Sequence, residues 1–475
     1  MSSPRPRDRV LMSAAPESSR EAERMEGDGV PGAIPVGPSL RTLSVLQPAG
    51  ETLMKRSTDR ILTTHAGSLP RPADLLAMGE AMQDGEPVDA AAYEARLAQA
   101  VDIVVREQAE RGIDIVDDGE FGKPGFVAYV NERLSGFEMD PHRAGRNPWP
   151  CSREAQSFPD YYAETCAAAS YPVRMMCTGP IAYRGHARLE RDIANFRAAL
   201  GAVTVEEAFM PAVSPATVAA WHRNAHYDST LRYLFAIADA LHEEYEAIVD
   251  AGFLLQIDDP GLFTYWRLNP EVWVPHRFKW SRLHIHALNH ALGGIPKEKI
   301  RFHACHGINV GPRSHDTELN EFVVDELILQ VHAGAFSFEA ANPRHEHEWQ
   351  VWEKVKLPAG AVLIPGVISN STVLVEHPEL VAQRICRFAE MVGRENVIAG
   401  SDCGFANFAN AREIHPSIVW AKLQALAEGA RIATKKLFSP PPSRARLPTR
   451  GAGQRHPQPR GARAAPPQSR SPVRI

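Results

Sequence analysis

Cysteine is scarce in this chain: six residues in 475, at 151, 166, 177, 305, 386 and 403. That is too few for a disulfide scaffold, so a reduced, cytoplasmic setting is expected, with one or two thiols serving a metal or catalysis. There is no run of about 18 or more apolar residues, so nothing is expected to span a membrane. The early arginines are not followed by an apolar stretch of signal-peptide type. Neither sign of charge dominates. The formal net charge of −5 gives no electrostatic case for binding nucleic acid or an anionic membrane. What the chain does have is apolar content, 44% of residues, which is ample for a large core. Its length alone would suggest roughly two to four domains, but α/β barrels run this long as one.

Both ends read differently from the middle. Residues 1–53 are rich in Pro, Ser, Gly and Arg, lack a sustained period, and are expected to be disordered. Met54 then opens Met54-Lys55-Arg56 just before the first strand-like run, as a translation start would. Residues 439–475 contain Pro440-Pro441-Pro442 and eight arginines with no acidic residue, and are likewise expected to be a solvated tail. The expected folded domain is 54–438.

Within that domain one grammar recurs: a helix-like segment, a Gly, then a strand-like run. The segment 91–112 shows it, with Tyr93, Leu97, Val101, Ile103, Val104 and Val105 as an apolar stripe and Gly112 as a natural C-cap. The pattern returns at 231–252, 321–334 and 378–393, each followed by a short apolar run. Repetition of this kind predicts parallel strands joined by helical crossovers. Strands are expected at 61–64, 113–117, 173–178, 253–258, 300–304, 335–339, 361–367 and 397–401. Eight strands predict a single (β/α)8 TIM barrel, with 127–172 and 179–230 as long insertions in βα connections.

Polar residues cluster where these strands end. They include His65 and Ser68, Glu120, Cys177, Asp258, His303 and Cys305, Glu339, and Asp402 and Cys403. In a barrel all such ends share the catalytic face. Asp258 or Asp402 alone reads equally well as a helix N-cap, and Glu120 with Asp258 as parts of a salt bridge at the barrel mouth. His303 and Cys305 are two apart on one strand and so point to the same side. Imidazole beside thiolate suits zinc. With Glu339 and Cys403 at neighbouring strand ends, His303, Cys305, Glu339 and Cys403 form a candidate four-coordinate zinc set. His306 points the other way, to a supporting role, and Cys386 lies on the apolar face of a helix.

In order, Thr63-Thr64-His65-Ala66-Gly67-Ser68-Leu69-Pro70, Asp118-Gly119-Glu120-Phe121, Thr178-Gly179-Pro180, Gln256-Ile257-Asp258-Asp259-Pro260, His303-Ala304-Cys305, Glu339 and Asp402-Cys403-Gly404 resemble the catalytic domain of the cobalamin-independent methionine synthases, over about residues 56–438. The resemblance implies the barrel fold and zinc at the four positions above. It implies contacts from Ser68, Glu120 and Asp258 to homocysteine, and methyl transfer from a folate-type donor to the homocysteine thiol, giving methionine. The implied partners are therefore a small-molecule thiol and an alkyl donor.

The chain departs from that pattern in three ways. It has no room for the second, N-terminal barrel of the synthases. It reads Asp258-Asp259-Pro260 where the family has Asp-Glu-Pro. After the seventh strand it reads Gly366-Val367-Ile368-Ser369-Asn370-Ser371-Thr372 where the synthases have Asp-Ile-His, and the next histidine is His377 on the following helix. These departures leave open a different electrophile and thiol, as in the family's epoxide:coenzyme M transferase relatives, or a barrel that binds zinc and thiol without turnover.

Overall fold

The computed structural model describes residues 54–83, 85–140, 152–165, 175–268, 277–307, 312–408 and 414–439. The expectations for 1–53 and for nearly all of 439–475 lie outside these residues, as do Cys151 and Cys166.

Eight parallel strands form one sheet: β1 (Leu62–Thr63), β2 (Ile115–Val116), β3 (Glu207–Val213), β4 (Leu254–Asp258), β5 (Ile300–Ala304), β6 (Ala335–Phe338), β7 (Val362–Ile368) and β8 (Ile398–Ser401). Its order runs β1-β8-β7-β6-β5-β4-β3-β2. The remaining seam, β1 against β2, is joined by Asp114 N–H to Thr63 O (3.1 Å) and by the Thr64 hydroxyl to Ile115 O (2.9 Å). The result is the (β/α)8 barrel. Among the described residues no helix is long and apolar enough to cross a membrane.

The helices follow from local signals. In α1 (Ala90–Glu110) the Asp89 carboxylate caps the N–H groups of Ala91 (2.9 Å) and Ala92 (3.2 Å), which is worth about 1 kcal/mol. Leu97, Val101, Val104 and Val105 are buried at helical spacing, each side chain contributing roughly 1.5–3 kcal/mol. Ile103, expected in this stripe, is 42% exposed. The helix α2 (Thr230–Asp250) is capped by Ser229, and α3 (Pro378–Val392) by the exposed His377 side chain, which accepts from Glu379 N–H at 3.1 Å. The glycines after these three helices, Gly112, Gly252 and Gly393, all have positive φ, as a C-terminal turn requires.

The third barrel strand is not the expected one. The apolar Met175–Cys177 run lies in a separate three-stranded sheet, antiparallel to Phe137–Met139 and parallel to Arg223–Asn224. The barrel position belongs to β3, which pairs with β2 and β4 and lies within the stretch expected as an insertion.

Inside the barrel the side chains are layered. Leu62, Ile115, Phe209, Leu254, Ala335, Val362, Ile364 and Ile398 form an apolar floor with Met54. Above it the buried Arg301 guanidinium lies 3.8 Å from the Phe209 ring centroid and donates to the Thr64 hydroxyl (3.1 Å) and His65 O (3.0 Å). The strand C-termini open above this polar layer.

Candidate active site at the strand C-termini

Alternation along β5 sends Arg301 and His303 inward, and Cys305 follows on the same side just past the strand end. Phe302 and Ala304 face the helical shell and are fully buried in the core. Cys403 enters just past the end of β8. Its position is set by Ser401, whose hydroxyl donates to Cys403 O (3.0 Å), and by Asp402. The Asp402 N–H donates to Ile368 O (2.9 Å), and its Oδ1 accepts from the N–H groups of Ala340 and Ala341, both at 2.7 Å. Asp402 therefore ties β8 to the end of β6 rather than capping a helix.

His303, Cys305 and Cys403 offer ligand atoms that all lie within 4.8 Å of one another, and all three side chains are buried. The Ser337 hydroxyl, 2.9 Å from His303 Nδ1, fixes the ring. This leaves Nε2 buried with no hydrogen bond of good geometry, facing the thiols. The two sulfurs act on each other. The Cys403 S–H pulls the Cys305 thiol down despite burial, with His303 adding to the effect, while the Cys403 thiol is pushed up. Burial opposes a charged His303, yet the adjacent Cys305 and the nearby carboxylates of Asp258 and Glu339 raise its pKa. One orphaned imidazole nitrogen and two thiols in a buried cluster fit a zinc ion by donor type and by number.

The structure does not gather Glu339 with these three. Its carboxylate lies instead with Arg313 (2.6 and 3.3 Å), the His306 N–H (2.9 Å) and Asn342 Nδ2 (2.5 Å). Burial opposes its charge, but Arg313 holds it well below the usual carboxylate range. His306, expected in a supporting role, stacks between Phe263 (5.0 Å) and His345 (3.9 Å). Cys386 is half-buried and packs on the core.

A small cavity, partly open to solvent, lies above the trio. Asp258, His303, Cys305, Cys403, Phe126 and Asn407 are among its lining residues. Asp258 Oδ1 accepts from Gln256 Nε2 (2.9 Å), and the same amide donates to Ala66 O (2.8 Å). Burial raises the Asp258 carboxyl to about 7, opposed by His303 and reinforced by Glu120. The capping role that Asp258 could have had falls to Asp259, which accepts from Leu262 N–H and the Thr217 hydroxyl, both at 3.1 Å.

Glu120 has φ +60°, a left-handed conformation that a non-glycine residue holds at a cost. Its N–H is held by Asp118 Oδ1 (2.9 Å) and its carbonyl by Arg71 (2.5 Å). The side chain is buried, and Oε2 has no hydrogen-bond partner. It presses on Gly67, where a Cβ would fall 2.9 Å from Oε1 and also from Pro211 Cγ. No described ion pair involves Glu120 or Asp258. The Ser68 hydroxyl, also buried, donates to Asn407 Oδ1 (3.0 Å) and packs against Gly404. At the seventh strand end the Ser369 hydroxyl pairs with Ser371 (2.8 Å), and Asn370 donates to Gly404 O (3.2 Å).

The sequence reading missed Gln256, Asn407 and Arg313 as site residues. Gln256 alternates with Asp258 on β4 and could have been found by that spacing. Nothing local marks the other two.

The family description "Cobalamin-independent synthase, Catalytic domain" matches residues 61–208. A methionine synthase of Thermococcus kodakarensis is 25% identical over 377 residues, covering 79% of this chain and 94% of that one. A 5-methyltetrahydropteroyltriglutamate–homocysteine methyltransferase of Thermotoga petrophila is 24% identical over 374 residues, covering 75% of this chain but 43% of that longer protein. A solved B12-independent methionine synthase from Shewanella sp., in complex with selenomethionine, superposes with a TM-score of 0.60 at 20% identity, over 80% of this chain and 99% of that one. A second solved chain, from Listeria monocytogenes, gives 0.55. That agreement concerns the fold, and the sequence matches make this chain similar to the cobalamin-independent methionine synthases along its barrel.

Proposed function

We propose that the chain is a zinc-dependent methyltransferase that alkylates the thiol of homocysteine, giving methionine, with a folate-type methyl donor. The observation that carries the reading is the buried His303, Cys305 and Cys403 cluster beneath a cavity walled by Asp258. Zinc held there would supply thiol activation. A free thiol with pKa about 8.5 is mostly protonated at neutral pH, and coordination leaves a nucleophilic thiolate.

The protein's own groups hold the rest of the substrate. Glu120 and the carboxylate of Asp258 are the anionic partners for an ammonium group, each making a charge-assisted hydrogen bond. Glu120 Oε2 is buried and unpaired, so an incoming ammonium relieves an unfavourable state rather than displacing a partner. Ser68 offers a hydroxyl for the carboxylate. The apolar wall from Phe126 and Pro260 excludes water beside the sulfur.

A second reading is favoured by one observation. Ser369 and Asn370 stand where the synthases place their histidine, and neither titrates near neutral pH. A donor whose leaving group needs no proton, or an epoxide with another small thiol, asks less of that position. The test crosses homocysteine and 2-mercaptoethanesulfonate with methyltetrahydrofolate, simple methyl donors and an epoxide, using zinc-loaded protein. Methionine formed from the folate donor supports the first reading, and product only from another pairing supports the second. Thiol binding with no product from any donor would leave a binding barrel.

A further inference from the structure

Arg71 lies on the loop after β1, beyond Ser68 and between Pro70 and Pro72. Pro72 biases it towards extended backbone. The loop is hydrogen-bonded on both flanks. Leu69 N–H donates to Gly119 O (3.2 Å) on the loop after β2, and Phe405 N–H, on the loop after β8, donates to Ser68 O (2.8 Å). The Arg71 side chain closes the same two seams. Its Nη2 donates to Glu120 O (2.5 Å) and Lys123 O (2.8 Å), and its Nη1 to Ala406 O (3.3 Å). The side chain is buried, and among the described residues these three bonds all go to backbone carbonyls. Burial disfavours its charge, and the carboxylates of Glu120 and Asp118 offset part of that penalty. The carbonyls it holds belong to the substrate groups. Glu120 is the non-glycine residue at φ +60°, with Oε2 unpaired, a conformation that persists only where its surroundings over-determine it. Its carbonyl receives both Arg71 and the Lys123 N–H (3.1 Å). Ala406 precedes Asn407, whose Oδ1 accepts from the Ser68 hydroxyl (3.0 Å). One guanidinium thus fixes Glu120 on one side and the Ser68–Asn407 pair on the other.

We propose that Arg71 is a positioning residue for the thiol substrate: it locks the loops after β2 and β8 against the loop after β1, so that Glu120 and Ser68 stand at a fixed separation before an amino acid arrives. The inference rests on the homocysteine reading above and deepens it by naming what pre-forms that site. A pre-formed pair of contacts spares the ordering that binding would otherwise have to supply. The residue type matters. A planar guanidinium presents several donors in a rigid fork and can reach carbonyls on two loops at once, whereas a lysine ammonium is a single point.

The experiment uses zinc-loaded full-length protein and reads binding by calorimetry. The probes are homocysteine, 4-mercaptobutanoate, which lacks the ammonium group, and 3-mercaptopropylamine, which lacks the carboxylate. Arg71→Ala should keep its zinc and weaken homocysteine binding by about ten- to a hundredfold. Each truncated thiol should lose less, because neither engages both ends of the site. Arg71→Ala combined with Glu120→Gln should lose clearly less than the two single losses multiplied together, because Arg71 acts in part through Glu120. Guanidinium ion, at concentrations too low to unfold the protein, should restore part of the affinity of Arg71→Ala and none of that of Arg71→Lys. A role confined to stability would lower Tm without producing these signatures. If Arg71→Ala does not fold, Arg71→Lys keeps the charge without the fork and should still weaken homocysteine by about three- to tenfold. Unchanged homocysteine affinity in both variants, or losses that multiply fully with that of Glu120→Gln, would overturn the positioning role. Wild-type protein that binds either truncated thiol as tightly as homocysteine would overturn the amino-acid reading instead.

Discussion

Replacing Asp258 by Asn keeps the shape of the β4 terminus and removes one charge from the cavity wall. Gln256 Nε2 already occupies Oδ1 at 2.9 Å, leaving the other oxygen to meet a ligand. A carboxylate and an ammonium about 4 Å apart attract by about 4 kcal/mol at an effective dielectric constant of 20. After desolvation of both groups, a charge-assisted hydrogen bond retains about 1.5–3 kcal/mol. Homocysteine affinity should therefore fall roughly ten- to 150-fold. Zinc content should be unchanged, because Asp258 is not a proposed ligand. The effect should also depend on pH in a fixed direction. Burial raises the Asp258 carboxyl to about 7, so acid protonates it and brings wild type and variant together, while the gap opens as pH rises through the midpoint. A bound dication would lower that midpoint, so with metal loaded the gap closes at or below pH 7. Calorimetry of homocysteine and 2-mercaptoethanesulfonate on both proteins, at pH 6 and 8, decides the matter. The sulfonate thiol has no ammonium group and should bind the variant as well as or better than wild type. Unchanged homocysteine affinity at pH 8, with zinc still bound, would refute the assignment of Asp258 to an ammonium group and move the other-thiol reading ahead.

Arg133 is buried between Asp192 (2.6 Å) and Glu244 (3.0 Å) with its guanidinium over the Tyr129 ring. Arg133→Met leaves the buried Glu244 carboxylate without its cation and Asp192 with Arg191 alone (2.8 Å), and should cost about 3–5 kcal/mol, seen as a fall in Tm of roughly 4–6 °C for a domain of this size; a change below about 1 °C would contradict this. His345 is driven up to about 9, against burial, by Asp316 and Glu348. Its folded pKa thus exceeds an unfolded value of about 6.5, so its contribution is complete below pH 6.5 and is lost as pH rises through 9. His345→Gln should flatten the fall of Tm across that window, and an unchanged slope would assign the fall to other groups. On composition, residues 1–53 and 439–475 have too little apolar content to offset the entropy of ordering. A protein spanning 54–438 should keep the zinc content and Tm of the full chain, and a large drop in Tm would show that one end contributes to the barrel.

The parts of the fold legible in the sequence were those governed by local periodicity. In α1, the 3.6-residue stripe and the glycine after it specify where the helix lies and where it stops, and the same signals recur for α2 and α3. The one exception within the α1 stripe, exposed Ile103, marks the limit of a periodic reading, since a neighbouring position can be apolar without facing the core. The metal-capable trio was legible because residues two apart on a strand share a side and barrel strand ends share a face. The third strand was hidden for the converse reason. Met175–Cys177 looks like a core strand because it is apolar, but apolar content does not say which sheet a strand joins. β3 begins with Glu207 and carries Pro211 at its centre, a residue that ordinarily argues against a central strand because it cannot donate to the ladder. The barrel uses that proline. Its carbonyl accepts from the buried Lys123 ammonium (2.5 Å), and its ring packs on Gly67 opposite the Glu120 carboxylate. The feature that obscured the strand in one dimension is thus built into the barrel mouth. The Glu339 clamp was illegible for the same kind of reason. Arg313 lies 26 residues away, with no periodic relation to Glu339, and only the folded chain shows that this carboxylate already has its counter-ion.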